Sequence, residues 1–215
     1  MRDFFRIARI GGIAVFVVTY ALLVHHVNAS GQASTLGAVL ALVPLLLIGA
    51  ALVIRPQSRI AGILFLLTLT ALAWWQWPAL QQCSSLIFLL QDLSLMLALF
   101  ATFARTLMPG CKPLCVGFAE AIHGGDLPPA HAEYARQVTI AWVMFFMLMA
   151  IASIVLFSFF PLAVWSFFVN FLTLPLVALM FIVEFLVRRH VLPDAPRVNI
   201  LAAVNAYKNM ARVNH

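Results

Sequence analysis

Residues 35–77, TLGAVLALVPLLLIGAALVIRPQSRIAGILFLLTLTALAWWQW, decide the fold. Two runs without a charged side chain, 35–54 and 60–77, flank the basic turn Arg55-Pro56-Gln57-Ser58-Arg59. Each run is close to the roughly 20 apolar residues that a helix needs to cross hydrocarbon. Hydrocarbon offers exposed backbone groups no hydrogen-bond partner, so runs of this kind cross as helices. The short Pro-containing turn predicts a tight antiparallel hairpin with its basic end in water.

Four more runs of the same character follow outward from this hairpin, at about 10–27, 84–104, 138–159 and 163–187. The predicted fold class is therefore all-α, a polytopic membrane protein with six transmembrane helices. The composition agrees: the chain is 64% hydrophobic and 9% charged, with mean hydropathy +1.04, against about 25% charged in a soluble domain. Six spans use more than half of the 215 residues, which excludes a large extramembrane domain. The expected organisation is a transmembrane domain over 1–193 and an amphipathic tail over 194–215.

Threading the spans alternately sorts every cation to one side. Arg2, Arg6 and Arg9 precede the first span, and Arg55 and Arg59 separate the second from the third. Arg105, Lys112 and Arg136 lie between the fourth and fifth, and Arg188, Arg189, Arg197, Lys208 and Arg212 come at the end of the sixth or after it. The opposite loops, 26–34, 76–83 and 160–163, have no Lys, Arg, Asp or Glu. Cationic loops stay in the cytoplasm, so both termini are expected there, in a bacterial inner membrane. The formal charge of +6 is spread in small groups beside apolar spans, which suits anionic lipid headgroups of the inner leaflet and not a nucleic acid.

Cys83, Cys111 and Cys115 form no disulfide framework, and none is expected. The segment MRDFFRIAR, the apolar run Ile10–Val24 and the triplet Val27-Asn28-Ala29 also fit a secretory signal. The close approach of the second span favours an uncleaved first helix. Pro44 and Pro175 each remove a backbone donor inside a span and are expected to kink it. Trp74, Trp75, Trp77 and Trp165 fall at the outer boundary and Trp142 near the inner one, where indoles serve as interfacial anchors. The halves 10–77 and 84–187 would run antiparallel, the arrangement of an inverted repeat, without clear similarity between them.

The one sizeable loop, 105–137, opens on the breaker cluster Met108-Pro109-Gly110 and Pro113. A short helix is predicted over Leu114–Ile122, stopped at His123-Gly124-Gly125, and another from Pro128 or Pro129 into the fifth span. Loops of this length are commonly functional, which makes Lys112, Glu120, His123, Tyr134 and Arg136 candidates for docking a partner. In the tail, Ile200, Leu201, Val204, Tyr207 and Ala211 recur at helical spacing among Lys208 and Arg212, which predicts a helix lying on the inner leaflet; a disordered tail is the alternative.

Asp92 is the sharpest single residue. It lies roughly 3 Å from the middle of the fourth span at the helical rise, where aspartate costs about 2.5–3.5 kcal/mol on insertion scales. It serves either as a proton or cation relay, or as a neutral acid bonded to Ser, Thr or Asn on another span. Ser85 shares its face. Asn170, Thr173, Glu184 and Arg188 recur along one face of the sixth span, and Glu184 is expected to pair with Arg188 or Arg136.

Other chemistry in the loop is weakly marked. Cys111, Cys115, His123 and His131 could supply four zinc ligands, at a spacing that matches no common module. His123-Gly-Gly-Asp126 is two residues short of the His/Asp spacing of glycerolipid acyltransferases and reads more simply as a turn. No catalytic motif is present, and no cofactor or metal is implied.

The runs Arg105-Thr-Leu-Met-Pro-Gly-Cys-Lys-Pro-Leu114, Tyr134-Ala-Arg136-Gln-Val-Thr-Ile-Ala-Trp142 and Trp165-Ser-Phe-Phe-Val-Asn170, with Glu184, Arg188-Arg189 and Pro193, resemble a family of bacterial inner-membrane proteins. Its members are encoded among fatty-acid-synthase-like genes for aryl polyene pigments of the xanthomonadin type, and some are called ketosynthases. Gln137 departs from the family pattern, which has a second basic residue there. The resemblance implies a context and no settled activity: a non-catalytic accessory to the biosynthesis, hand-over or export of a lipid-like aryl polyene or acyl product, docking acyl-carrier or synthase proteins on the loop. A small proton-coupled transporter using Asp92 and a membrane acyltransferase using His123 or His131 are the alternatives.

Overall fold

The computed structural model describes residues 2–31, 34–123, 125 and 127–192. All the regular structure among them is helical. Helices α1 (Arg2–Ser30), α2 (Thr35–Ile54), α3 (Arg59–Trp75), α4 (Trp77–Gln82) and α5 (Ser84–Arg105) fill the first half. They are followed by α6 (Leu114–His123), α7 (Pro129–Phe159), α8 (Leu162–Phe167), a π-helical turn (Phe168–Leu172) and α9 (Thr173–Val191). Six segments are long and apolar enough to cross a membrane: Gly11–Ser30, Thr35–Ile54, Pro56–Trp75, Ser84–Arg105, Pro129–Phe159 and Leu162–Val191. Their outward side chains are apolar, among them Phe16, Leu47, Leu64, Leu90, Leu148 and Phe181. Apolar surface on that scale needs a nonaqueous neighbour.

The chain divides into two compact units, one running to Asp92 and including Ser153–Leu174, the other made of Leu93–Ala152 and the residues from Pro175. That division does not follow the halves 10–77 and 84–187 proposed as a repeat. In the first unit α2 packs most extensively on α3. Their turn is the 3₁₀ segment Pro56–Ser58, closed by Ser58 Oγ donating to Leu52 O at 3.0 Å. Ser34 caps α2, its hydroxyl accepting from Gly37 N at 3.0 Å, which satisfies one of the free first-turn donors. The core of this unit joins Val24 and Val27 of α1, Leu40 and Ala41 of α2, Phe88 of α5 and Trp165 of α8.

Several details depart from the sequence-based expectations. The third span ends at Trp75, and 77–82 is a helix of its own rather than a plain loop. The triplet Val27-Asn28-Ala29 lies within α1, with Val27 and Asn28 buried. As expected, by contrast, a helix starting at Pro129 runs through Tyr134 and Arg136 into the fifth span, as one element of 31 residues. In the sixth, the π turn at 168–172 lies just before Pro175. A π turn sets its residues at a different angular step from an α turn. The stripe Asn170–Thr173–Glu184–Arg188, drawn on an ideal α-helix, is therefore broken after Asn170.

The tryptophans are corrected most. Trp74 and Trp75 are 86% and 81% exposed, as anchors should be, but Trp165 is 1% exposed and its indole N–H bonds to a buried serine. Trp142 is likewise buried, against Phe103, Phe146 and Phe181 at centroid distances of 6.1, 5.4 and 4.8 Å. Depth alone does not say which way an indole turns. The tail expected over 194–215 and the turn residue Asp126 lie outside the described residues.

Candidate functional site

Asp92 lies on a stripe of α5 that runs through Ser84, Phe88 and Met96, each buried and four residues apart. Residues at that spacing face the same way on a helix, so the carboxyl is turned into the protein and half-buried. On α7, Thr139, Trp142, Phe146, Met149 and Ser153 recur at three- and four-residue steps and are all buried. Ser153 belongs to the same unit as Asp92 and donates to Asp92 Oδ2 at 2.6 Å. Trp165 Nε1 approaches Ser153 Oγ at 3.0 Å. An indole N–H can only donate. Ser153 therefore accepts from Trp165 and directs its own proton to Asp92, and the string has one polarity, Trp165 to Ser153 to Asp92.

A second string starts one residue further on. Asn28 of α1 is 1% exposed and accepts from Ser85 Oγ at 2.9 Å. Its Nδ2 reaches Ser166 Oγ at 3.5 Å, a long contact. Asn170 Nδ2 donates to Ser166 O at 2.8 Å and lies 3.2 Å from Ser166 Oγ. Trp165 and Ser166 are neighbours on α8, so both strings end there. Gln91 adds a bond to Ala41 O at 2.8 Å, and Tyr20 one to Leu40 O at 3.1 Å. Polar contacts thus tie α1, α2, α5, α7 and α8 together inside one unit. Interhelical bonds of this kind contribute about 0.6 kcal/mol each and rarely above ~1.7 kcal/mol.

Two of the sequence-predicted residues, Ser85 and Asn170, are brought together through Asn28 and Ser166. Asp92 shares the Ser85 side of α5 but bonds to different partners. Glu184 belongs to the other unit, where its carboxylate pairs with Arg188 at 3.5 Å and its carbonyl accepts from Tyr134 Oη at 3.1 Å. Asn28, Ser153, Trp165 and Ser166 were not expected as site residues. The one available signal was the 3/4 spacing on α7.

The loop candidates form a separate group. Helix α6 begins with two of its orphan donors satisfied: Leu114 N by Thr106 Oγ1 at 3.1 Å and Cys115 N by Thr139 Oγ1 at 3.2 Å. Lys112 and Glu120 form an ion pair at 2.6 Å, and Met108, Phe118 and Arg136 are exposed. His123 ends the helix, and its side chain lies outside the description. Burial pushes the Cys115 thiol up; a bond to Thr139 opposes that rise and the charge of Glu184 adds to it. A thiol held protonated is a poor metal ligand and nucleophile. No group of three His, Cys, Asp or Glu side chains able to hold a metal is gathered among the described residues. His131 has both ring nitrogens buried without a hydrogen-bond partner.

Compared with protein-family models, with curated proteins and with solved structures, the chain shows no match.

Proposed function

We propose that this chain is a multi-pass protein of the bacterial inner membrane, both termini cytoplasmic, that assists in the synthesis, hand-over or export of a lipid-like aryl polyene or acyl product. In this reading it binds and passes on the product and leaves the bond-making to soluble partners. The observation that carries it is the folded state of the 105–137 segment. A solvent loop with no task has no need of a helix whose first turn is pinned by two threonines. That helix exposes Phe118, Met108 is exposed in the turn that precedes it in sequence, and Lys112 pairs with Glu120 of the helix. Exposed apolar side chains in a segment that also carries Arg105, Lys112 and Arg136 suit an acidic acyl-carrier protein, because complementary charge steers encounter and apolar contact holds it. The one-sided distribution of all thirteen cations supports the orientation, and the family resemblance supports the product class.

The test is a comparison of lipid and pigment extracts from a deletion strain and its parent. Loss of one acyl or polyene product, restored by the full-length gene and not by a Phe118→Glu version, is the expected result. Unchanged extracts would remove the proposed role. Single cysteines placed beside Arg55, Lys112 or Arg189 should resist a membrane-impermeant thiol reagent applied from outside and react after lysis. Labelling from outside would reverse the orientation.

A further inference from the structure

The Trp165–Ser153–Asp92 string leaves one acceptor unused. Asp92 Oδ2 is engaged by Ser153, and the carboxyl makes no other hydrogen bond among the described residues. Its second oxygen is also not among the enclosed polar atoms that lack a partner. A carboxyl serving only to join helices gains by having both oxygens bonded, since each unpaired one is costly in hydrocarbon. Here one oxygen is fixed by a buried, directional donor and the other is left open.

We propose that Asp92 is an intramembrane proton-binding site, with Ser153 and Trp165 as its positioning residues. Ser153 accepts from Trp165 and donates to Asp92, so Oδ2 already serves as an acceptor. The exchangeable proton is therefore carried on Oδ1, the open oxygen. A carboxyl that gains and loses a proton at this depth is what couples a membrane protein to a proton gradient. The ligand is a proton and not an alkali cation, since a cation needs several oxygens around it and the nearby hydroxyl points its hydrogen at the carboxyl.

Ionisable groups are sparse among the described residues of its unit. On the elements of its unit, α2, α4, residues 84–91 of α5, 153–159 of α7 and 162–174 carry no Asp, Glu, His, Lys, Arg, Tyr or Cys. Arg59 starts α3, and Cys83 precedes α5. Tyr20 on α1 is bonded to Leu40 O, His25 is turned to Phe167 and Phe171, His26 is exposed, and the remaining ionisable groups of α1 come at or before Arg9. Such a site needs only that the helices lie in a bilayer. It stands apart from the role in a pigment or acyl pathway.

The test uses full-length protein in liposomes and dicyclohexylcarbodiimide, a hydrophobic reagent for protonated carboxyls. The carboxyl oxygen bonds to the central carbon, the carboxyl proton passes to a ring-bearing nitrogen, and the adduct rearranges to a stable acylurea read by peptide mass. Labelling of Asp92 is expected, absent in Asp92→Asn, falling as pH rises and unaffected by sodium. A donated bond favours the carboxylate, so Ser153→Ala should hold the reactive acid to higher pH. The half-labelling point should rise by about one pH unit or more, given the strength of bonds to charged groups. Trp165→Phe should move it the same way by less, and it replaces Ser153→Ala if that variant fails to fold by gel filtration. No adduct on Asp92 between about pH 5 and pH 9, protection by sodium, or unmoved profiles in folded variants would overturn the proposal. None of these readouts depends on extract composition, so this site and the proposed function can fail separately.

Discussion

Trp165→Ala is expected to lower the unfolding free energy by about 3–5 kcal/mol, the range for removing a large buried aromatic, measured by reversible denaturation in mixed micelles. In a bilayer the unfolded helices are already out of water, so this loss comes from packing rather than from hydration. Trp165 is the most enclosed large side chain of its unit. It packs on the cluster of Val24, Val27, Leu40, Ala41 and Phe88, with Phe157 edge-on at 5.1 Å. Alanine would leave a cavity bounded by four helices and would strip Ser153 of its donor. Trp165→Phe separates the two effects. It keeps an aromatic body and loses only the N–H, so its cost should stay near ~1 kcal/mol. Equal stability of the two variants would show that the indole is not packed as described.

Gly62→Ala should destabilise by about 1–3 kcal/mol, although alanine is the better helix former by up to ~1 kcal/mol. A Cβ at Gly62 would stand 2.6 Å from Val53 N and 2.9 Å from Leu52 C. Both are backbone atoms of α2, so relief requires the two helices of the hairpin to part. Small residues that let helix backbones approach are a general device of membrane interfaces. Gly49 offers the contrast. Its added Cβ would meet the end of the Leu66 side chain, which can rotate away, so Gly49→Ala should cost less. The same denaturation assay compares the two, and a milder effect at Gly62 would contradict the close approach of α2 and α3.

The spans themselves were legible in the chain. The second, 35–54, is found with its expected bounds, and the predicted helix over Leu114–Ile122 is observed as Leu114–His123. Asp92 was legible because a carboxylate inside an apolar run has few innocent explanations. Its partner Ser153 was not. In a soluble helix the polar face reveals the buried one, but in α7 both faces are apolar, one turned outward and one toward the protein. A serine there has no contrasting background. Asn28 was hidden for a related reason: it lies within the last turn of α1, where an asparagine reads as the approach to a loop. Trp165 was misplaced because depth in the membrane was taken for orientation.

Apolar length and the need to satisfy every backbone group within one segment compel six helices, whatever their neighbours do; that much follows from composition and order along the chain. The polar strings are another matter. Asp92 and Ser153 are 61 positions apart, and Asn28 and Ser166 are 138 apart. Which of them meet depends on how each helix is rotated about its axis, and a helix with lipid-like residues on every side carries almost no preference for one rotation. Packing chooses it, through close contacts such as Gly62 against α2 and a fully enclosed indole, and the polar site forms where those choices agree.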